Sequence, residues 1–150
     1  MPRIERSATI GWEGNLARGA GEISADTGAF AGLPYSNATR IGNPEGKTSP
    51  EELLAAAHGG CFATSLAGEL TRAGSPPDRL DVRVVIRMDE LDGEGHQIVA
   101  STVAAHGRVP GLDRRIWEQA VQAADEGCPF SRLLKKAGAE VVVSAELDEG

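Results

Sequence analysis

The sequence predicts a single α+β domain spanning residues 1–150. Strand-like alternation of apolar and polar residues occurs near both ends of the chain and in its middle, whereas helical spacing dominates the segments between them. Strands and helices in this irregular order, without a βαβ repeat, are typical of the α+β class. Hydrophobic residues make up 41% of the chain and charged residues 25%, which is typical of a globular protein.

The N-terminal third predicts two short strands and a long loop. Alternation over 8–12 indicates the first strand, and a weaker strand follows over 20–25, where glycine dilutes the pattern. Residues 32–47 are rich in Pro, Gly and Asn and predict a loop. Because long loops in compact domains are often functional, this loop is a candidate site.

The central segment predicts one long helix. Pro50 fits the first helical turn, Glu51 complements the positive end of the helix dipole, and the helical pattern continues to about Arg72. Gly59 and Gly60 lie in the middle of this helix, where each glycine costs about 0.8–1.0 kcal/mol relative to alanine. We expect that cost to be offset by the close approach of another backbone or helix.

The C-terminal half predicts a hairpin, two helices and a last strand. Residues 80–88 alternate clearly, and 97–105 form a second strand after a glycine-rich turn. Asp113 is positioned to cap an amphipathic helix. A short helix over 130–136 and a strand over 140–147 complete the pattern.

Composition excludes several classes of function. Fifteen Lys and Arg against 22 Asp and Glu give a net charge of −7, which argues against a nucleic-acid partner. No apolar run reaches the roughly 20 residues of a membrane helix, so no membrane partner is expected. Residues 1–6 are charged with no apolar segment after them, which predicts no signal peptide and a cytoplasmic location.

The two cysteines, Cys61 and Cys128, are either two inert buried thiols or one functional redox pair. Cys61 lies inside the apolar helix, where burial would raise the pKa of its thiol unless a cation were close. Cys128 precedes Pro129 at the start of the short helix, where the helix dipole favours a thiolate. Cys128 can equally be a small apolar side chain that fills space at a turn.

Two loop arginines, Arg40 and Arg18, are candidates for that cation, although a loop arginine is more often a solvated surface charge. Glu51 is a candidate anchor for the arginine, or only a partner of the helix dipole. His58, like the other two histidines, has no metal-ligand spacing and reads as an ordinary core or surface residue. No phosphate-binding loop or nucleophile elbow occurs, so no cofactor or metal is expected.

Several segments together resemble the OsmC/Ohr family of thiol peroxidases. The segment 48–62, TSPEELLAAAHGGCF, resembles the family's cysteine helix, and segments 109–113 and 124–131 resemble the region of its second cysteine. Residues 12–14 and 35–40 are similar to the N-terminal part of the OsmC branch. The resemblance covers nearly the whole chain.

The resemblance implies a role for each matching residue. Cys61 matches the peroxidatic cysteine and Cys128 the resolving cysteine, while Glu51 matches the glutamate that pairs with a catalytic arginine. Asn37-Ala38-Thr39-Arg40 resembles the arginine segment of the OsmC branch, and Arg18 lies near the position used in the Ohr branch. Of the two, we assign the catalytic role to Arg40.

The family also implies a fold and a reaction. The expected fold has antiparallel sheets around a long cysteine-bearing helix, in an intertwined homodimer. The expected reaction reduces an organic hydroperoxide through a Cys61 sulfenic acid and a Cys61–Cys128 disulfide, which a dithiol of the dihydrolipoyl type reopens. The side chains expected to line a pocket for the organic tail are apolar: Leu53, Leu54, Phe62, Phe130 and Leu133.

Two other functional classes fit the same residues. One is a dimeric small-molecule binding or structural module with two non-catalytic thiols. The other is a redox sensor that uses the same disulfide, although no DNA-binding element or basic face is evident. Reactivity of the native thiols towards peroxide separates the binding or structural module from a peroxidase.

Overall fold

The computed structural model describes residues 3–149. Met1, Pro2 and Gly150 lie outside the described residues, and the first two of them belong to the segment 1–6 that was considered for a signal peptide. The chain forms two compact units, residues 1–50 and residues 51–150. The α+β class is confirmed, and no helix among the described residues has the length and apolar character needed to cross a bilayer.

The N-terminal unit is built on a three-stranded antiparallel sheet. Strands β1 (Ala8–Glu13), β2 (Ala20–Ala25) and β3 (Leu33–Tyr35) lie in the order β1-β2-β3. The two strands predicted from alternation are confirmed as β1 and β2.

A glycine in β2 allows two aromatic rings to meet. Gly21 pairs with Trp12 on β1 and with Tyr35 on β3, and the ring centroids of these two aromatic residues lie 5.6 Å apart. A Cβ atom on Gly21 would lie 2.5 Å from Tyr35 Cε1 and 2.9 Å from Trp12 Cε3. The glycine that weakens the strand pattern is therefore required for close packing of the rings.

The segment 32–47, predicted as a loop, is regular over about half its length. It contains β3 and a short helix, α1 (Asn37–Ile41). Ser36 caps α1, since its hydroxyl accepts a hydrogen bond from the Thr39 N–H at 3.1 Å. The prediction was wrong here because one helical turn and a three-residue strand are too short to produce a periodic pattern.

The C-terminal unit packs helices on one three-stranded sheet. The long helix α2 (Pro50–Arg72) begins at the boundary between the units. It is followed by five further elements: β4 (Arg79–Leu91), β5 (Gly95–Arg108), α3 (Arg114–Gly127), α4 (Pro129–Lys136) and β6 (Glu140–Leu147). These bounds confirm the predicted long helix, hairpin, two helices and last strand, including the Asp113 cap, which accepts from the Arg115 N–H.

The core of this unit uses one face of α2. Fully buried residues recur every four positions as His58, Phe62, Leu66 and Leu70, which aligns them along one side of the helix. Phe62, Leu66 and Leu70 belong to a hydrophobic cluster. The cluster also contains Val103 of β5, residues of α3 and the buried Cys128. The cysteine-bearing helix is therefore anchored by the same face that carries His58.

The sheet of this unit is mixed, with strand order β4-β5-β6. β4 and β5 form the predicted antiparallel hairpin, but β6 runs parallel to β5. The expectation of purely antiparallel sheets is wrong for this pair, because α3 and α4 connect β5 to β6 as a crossover that returns the chain in the same direction.

The two mid-helix glycines have different surroundings. A Cβ atom on Gly59 would lie 3.2 Å from Val84 Cγ2, whereas one on Gly60 would have no neighbour within 4 Å among the described residues. The expected close approach therefore occurs only at Gly59, and the approaching group is a strand side chain rather than a backbone or helix.

Candidate functional site

Cys61 and Cys128 lie together in the C-terminal unit. Cys61 is half-buried in the middle of α2, and Cys128 is fully buried at the start of α4. Both are free thiols, and Cys61 packs against the buried cluster that contains Cys128, close enough for Cys128 to raise the pKa of the Cys61 thiol. Two residues that are 67 positions apart in the sequence thus form one dithiol site.

Burial and three neighbouring residues act on the Cys61 thiol. Burial has the largest effect and raises its pKa, and the hydrogen bond and charge of Cys128 raise the pKa further. The backbone N–H of Phe130 and the hydroxyl of Ser65 stabilise the thiolate and lower the pKa. The balance leaves the pKa above that of an ordinary thiol, so these groups alone keep Cys61 protonated at neutral pH.

The N-terminus of α4 acts on Cys61 rather than only on Cys128. Cys128 is the N-cap residue of α4 and Pro129 follows in the first turn, as expected, but the Cys128 side chain makes no capping hydrogen bond. The backbone N–H of Phe130, in the first turn of α4, instead lowers the pKa of the Cys61 thiol. The helix end at which Cys128 lies therefore favours a thiolate at Cys61.

His58 lies in a buried polar cluster next to the dithiol. Its Nδ1 is 2.7 Å from the Ser101 hydroxyl on β5, and its Nε2 is 2.7 Å from the Ser131 hydroxyl on α4. All three side chains are fully buried. Burial lowers the pKa of His58, with a smaller opposing effect from the charge of Asp125 and a further lowering by Lys135. His58 is thus a core histidine with both nitrogens hydrogen-bonded.

Arg40 lies in α1 beside a cavity of the N-terminal unit. The cavity has a volume of about 190 Å³ and is lined on its apolar side by Trp12, Leu16 and Tyr35. Arg18 is exposed in the β1–β2 turn, where its backbone N–H donates to Asn15 Oδ1. Of the two candidate arginines, only Arg40 lines this cavity.

Glu51 is half-buried in the first turn of α2. Arg40 belongs to the N-terminal unit, and Glu51 and Cys61 to the C-terminal unit. The convergence of these three residues, which the family resemblance implies, stays a prediction.

The predicted pocket lining is partly wrong. Phe62 is fully buried in the core, whereas Leu133 is 59% exposed. These two side chains therefore do not line the same pocket. Phe130 packs against the core cluster. The expectation rested on the apolar character of these side chains, which does not distinguish a core position from a cavity wall.

Sequence reasoning missed three serines. Ser65 follows Cys61 by four residues in α2, and that spacing places two side chains on one helix face, so its contact with the thiol was accessible from the sequence. Ser101 and Ser131 reach His58 from other elements, and no local pattern marks them. Among residues 3–149 no group of His, Cys, Asp and Glu is arranged to hold a metal ion.

A paired dithiol on an α+β scaffold, with one cysteine at a helix N-terminus, defines a thiol-based redox protein. The family model described as OsmC-like protein matches residues 42–144 of the chain. The chain is 34% identical over 144 residues to Peroxiredoxin OsmC of Escherichia coli (strain K12), which covers 96% of this chain and 97% of that protein. The chain therefore belongs to the OsmC-like family, and it is a cysteine-based peroxidase.

Further relatives agree with this family. The organic hydroperoxide resistance protein OhrB of Bacillus subtilis (strain 168) is 32% identical over 79% of this chain and 86% of that protein. The crystal structure of the B. subtilis OhrB superposes with a TM-score of 0.65, at 23% identity over 95% of this chain and 98% of that chain. An OsmC-like protein of unknown function from Vibrio cholerae superposes with a TM-score of 0.77, at 16% identity over 96% and 100% of the two chains. These structures confirm the expected α+β fold with a long central helix.

Proposed function

We propose that the protein reduces organic hydroperoxides to alcohols with Cys61 as the peroxidatic cysteine and Cys128 as the resolving cysteine. The observation that carries the proposal is that Cys61 packs against the buried cluster that contains Cys128, because a sulfenic acid formed on Cys61 then has its resolving partner nearby. Two relatives also support the proposal, since one is a peroxiredoxin and the other an organic hydroperoxide resistance protein.

The first step forms a sulfenic acid. The Cys61 thiolate attacks the terminal oxygen of the hydroperoxide, the O–O bond breaks, and the alkoxide leaves and takes a proton to become the alcohol. The N–H of Phe130 and the hydroxyl of Ser65 assist by stabilising the thiolate.

Arg40 supplies the remaining stabilisation in this proposal. The neighbours of Cys61 in its own unit leave its pKa raised, so a cation must come from elsewhere. A guanidinium holds the thiolate and the peroxide oxygen together, and Glu51 orients it through a bidentate pair. The cavity beside Arg40 has Trp12, Leu16 and Tyr35 on one side, and this apolar side suits an organic tail better than it suits hydrogen peroxide.

The second and third steps form and reopen a disulfide. The Cys128 sulfur attacks the Cys61 sulfenic acid, the S–O bond breaks, and hydroxide leaves with the thiol proton as water. A dithiol reductant, of the dihydrolipoyl type, then reduces the disulfide by two exchange steps and is itself oxidised to a disulfide.

The proposal extends to the assembly and its location. Residues 1–150 act as one OsmC-like domain, as supported by the match to the E. coli relative over 97% of its length. Two chains form an intertwined homodimer, for which the exposed strand β1 supplies an open edge. The protein works in the cytoplasm, where a dithiol pool keeps both cysteines reduced.

Turnover with an alkyl hydroperoxide and dihydrolipoamide tests this function. The wild-type protein is expected to consume both in equal amounts. Cys61→Ser should consume none, and Cys128→Ser should complete one fast oxidation and then stall at the sulfenic acid or beyond. If Cys61→Ser turns over normally, the roles of the cysteines are reversed; if the wild-type protein consumes no hydroperoxide, the thiols serve binding or sensing instead.

A further inference from the structure

Three fully buried polar side chains form a chain of hydrogen bonds through the C-terminal unit. His58 Nδ1 lies 2.7 Å from the Ser101 hydroxyl, and His58 Nε2 lies 2.7 Å from the Ser131 hydroxyl. These residues come from three elements, α2, β5 and α4. The imidazole therefore joins the long helix to the sheet on one side and to the short helix on the other.

The link to Ser131 connects the helices that carry the two cysteines. His58 precedes Cys61 by three residues on α2, and Ser131 follows Cys128 by three residues at the start of α4. Residues three apart on a helix are neighbours on its surface. The His58–Ser131 hydrogen bond thus joins α2 and α4 about one helical turn from each sulfur.

The imidazole in this cluster is neutral. Burial lowers the pKa of His58, so the ring carries one donor nitrogen and one acceptor nitrogen at neutral pH. A serine hydroxyl both donates and accepts, so either tautomer satisfies both contacts. A buried polar group that loses one partner is destabilised, which makes the geometry of the cluster specific.

We propose that His58 is a positioning residue for the resolving step, because its hydrogen bond to Ser131 holds the first turn of α4 and so keeps the Cys128 sulfur within reach of the Cys61 sulfenic acid. The inference rests on the proposed function. In the step that His58 assists, the Cys128 sulfur bonds to the Cys61 sulfur, the S–O bond breaks, and the hydroxide departs with the Cys128 thiol proton as water.

The two serines form a matched pair of controls. Both are fully buried, and each makes a 2.7 Å hydrogen bond to one nitrogen of the same ring. Ser131 lies on the helix that begins at Cys128, whereas Ser101 lies on β5. A merely structural role predicts equal effects for the two alanine variants on every rate, and the positioning role predicts unequal effects on one step.

Quenched-flow mass spectrometry of Ser131→Ala and Ser101→Ala separates the steps. Sulfenic acid formation with tert-butyl hydroperoxide should stay within about twofold of wild type in both variants. Disulfide formation should slow about tenfold in Ser131→Ala and less than about twofold in Ser101→Ala; a tenfold change corresponds to about 1.4 kcal/mol in the barrier. Equal rates of disulfide formation in the two variants would overturn the inference.

Two substitutions of the histidine provide a rescue test. A glutamine amide extends to the position of Nε2 and can retain the contact with Ser131, whereas an asparagine amide extends only to the position of Nδ1 and the contact with Ser101. His58→Gln should therefore resolve faster than His58→Asn, and the reverse order counts against the inference. If these variants do not fold, the serine pair still decides it.

Oxidation by diamide distinguishes failure of this inference from failure of the proposed function. Diamide adds to one thiol, and the second thiol displaces it to form the disulfide, while diamide takes up two electrons and two protons. Formation of the disulfide by diamide needs no peroxidase activity. Slower closure in Ser131→Ala than in Ser101→Ala supports the positioning role even in a protein that consumes no hydroperoxide, and equal closure opposes it.

Discussion

Cys61 is held by groups with opposing effects on its protonation. Burial and Cys128 raise the pKa of its thiol, whereas the Phe130 N–H and the Ser65 hydroxyl lower it. The net effect within the C-terminal unit disfavours the thiolate, which is the reactive form. Reactivity at neutral pH thus depends on every group that stabilises the anion, and each can be removed separately.

Ser65→Ala should raise the pKa of Cys61 further, because the hydroxyl that stabilises the thiolate is lost. The thiolate forms as the pH rises through this pKa, so the variant's reaction profile should shift to higher pH. Iodoacetamide alkylation of Cys61, followed across pH by mass spectrometry, measures the shift. Thr64→Val is the matched control, since the Thr64 hydroxyl donates to the Cys61 carbonyl and should leave the profile unchanged.

Arg40→Ala should slow the oxidation of Cys61 by alkyl hydroperoxide at least about tenfold, equivalent to about 1.4 kcal/mol. The reason is that Arg40 supplies the cation which the surroundings of Cys61 lack. Arg18→Ala should be near neutral, because Arg18 lies in the β1–β2 turn and does not line the cavity beside Arg40. Stopped-flow oxidation of both variants decides between them, and a severe defect in Arg18→Ala beside a normal Arg40→Ala would transfer the role to Arg18.

At the scale of elements, the two glycines of α2 differ in what opposes a side chain. Gly60→Ala should stabilise the protein by about 0.8–1.0 kcal/mol, because alanine favours the helix and a Cβ atom has open space there. Gly59→Ala should gain less or lose stability, because its Cβ would lie 3.2 Å from Val84 Cγ2. Chemical unfolding measures both. A loss of stability in Gly60→Ala would contradict this and indicate a group packed against that face.

Elements with a long periodic pattern were predictable from the sequence, and elements defined by tertiary contacts were not. The 23 residues of α2 and the 13 residues of β4 bury one face each, and burial produces periodicity. The three-residue β3 and the five-residue α1 produce none. The parallel pairing of β6 depends on where the crossover leaves the chain, which no local residue specifies.

The same distinction applies to the site. The prediction that Cys61 and Cys128 lie close together came from the resemblance to a family, since 67 residues separate them and no local spacing joins them. Ser65 was accessible from helical spacing. Ser101 and Ser131 were not, because they meet His58 only after three elements pack together.

For the whole molecule, strand β1 indicates an incomplete surface. All six of its residues are exposed, including Ile10 and Trp12, and it is an edge strand of its sheet. Exposed apolar edge strands pair with further strands. This supports the proposed homodimer.

Sedimentation equilibrium should give twice the 15.6 kDa mass of the chain at micromolar concentration. Ile10→Glu should weaken the dimer, because it places a charge on the exposed strand, and Ile4→Glu, outside that strand, should not. A well-folded monomer at this concentration would rule out the obligate dimer.

The central claim is that Cys61 and Cys128 act as one peroxide-reactive dithiol. The most direct test adds one equivalent of tert-butyl hydroperoxide to the reduced protein and maps the cysteines by mass spectrometry under denaturing conditions. Both thiols should be lost and a Cys61–Cys128 disulfide should form within one chain, a bond that needs the two Cα atoms about 4.4–6.8 Å apart. Two free thiols after the treatment, or an oxidised Cys61 beside a free Cys128, would contradict it.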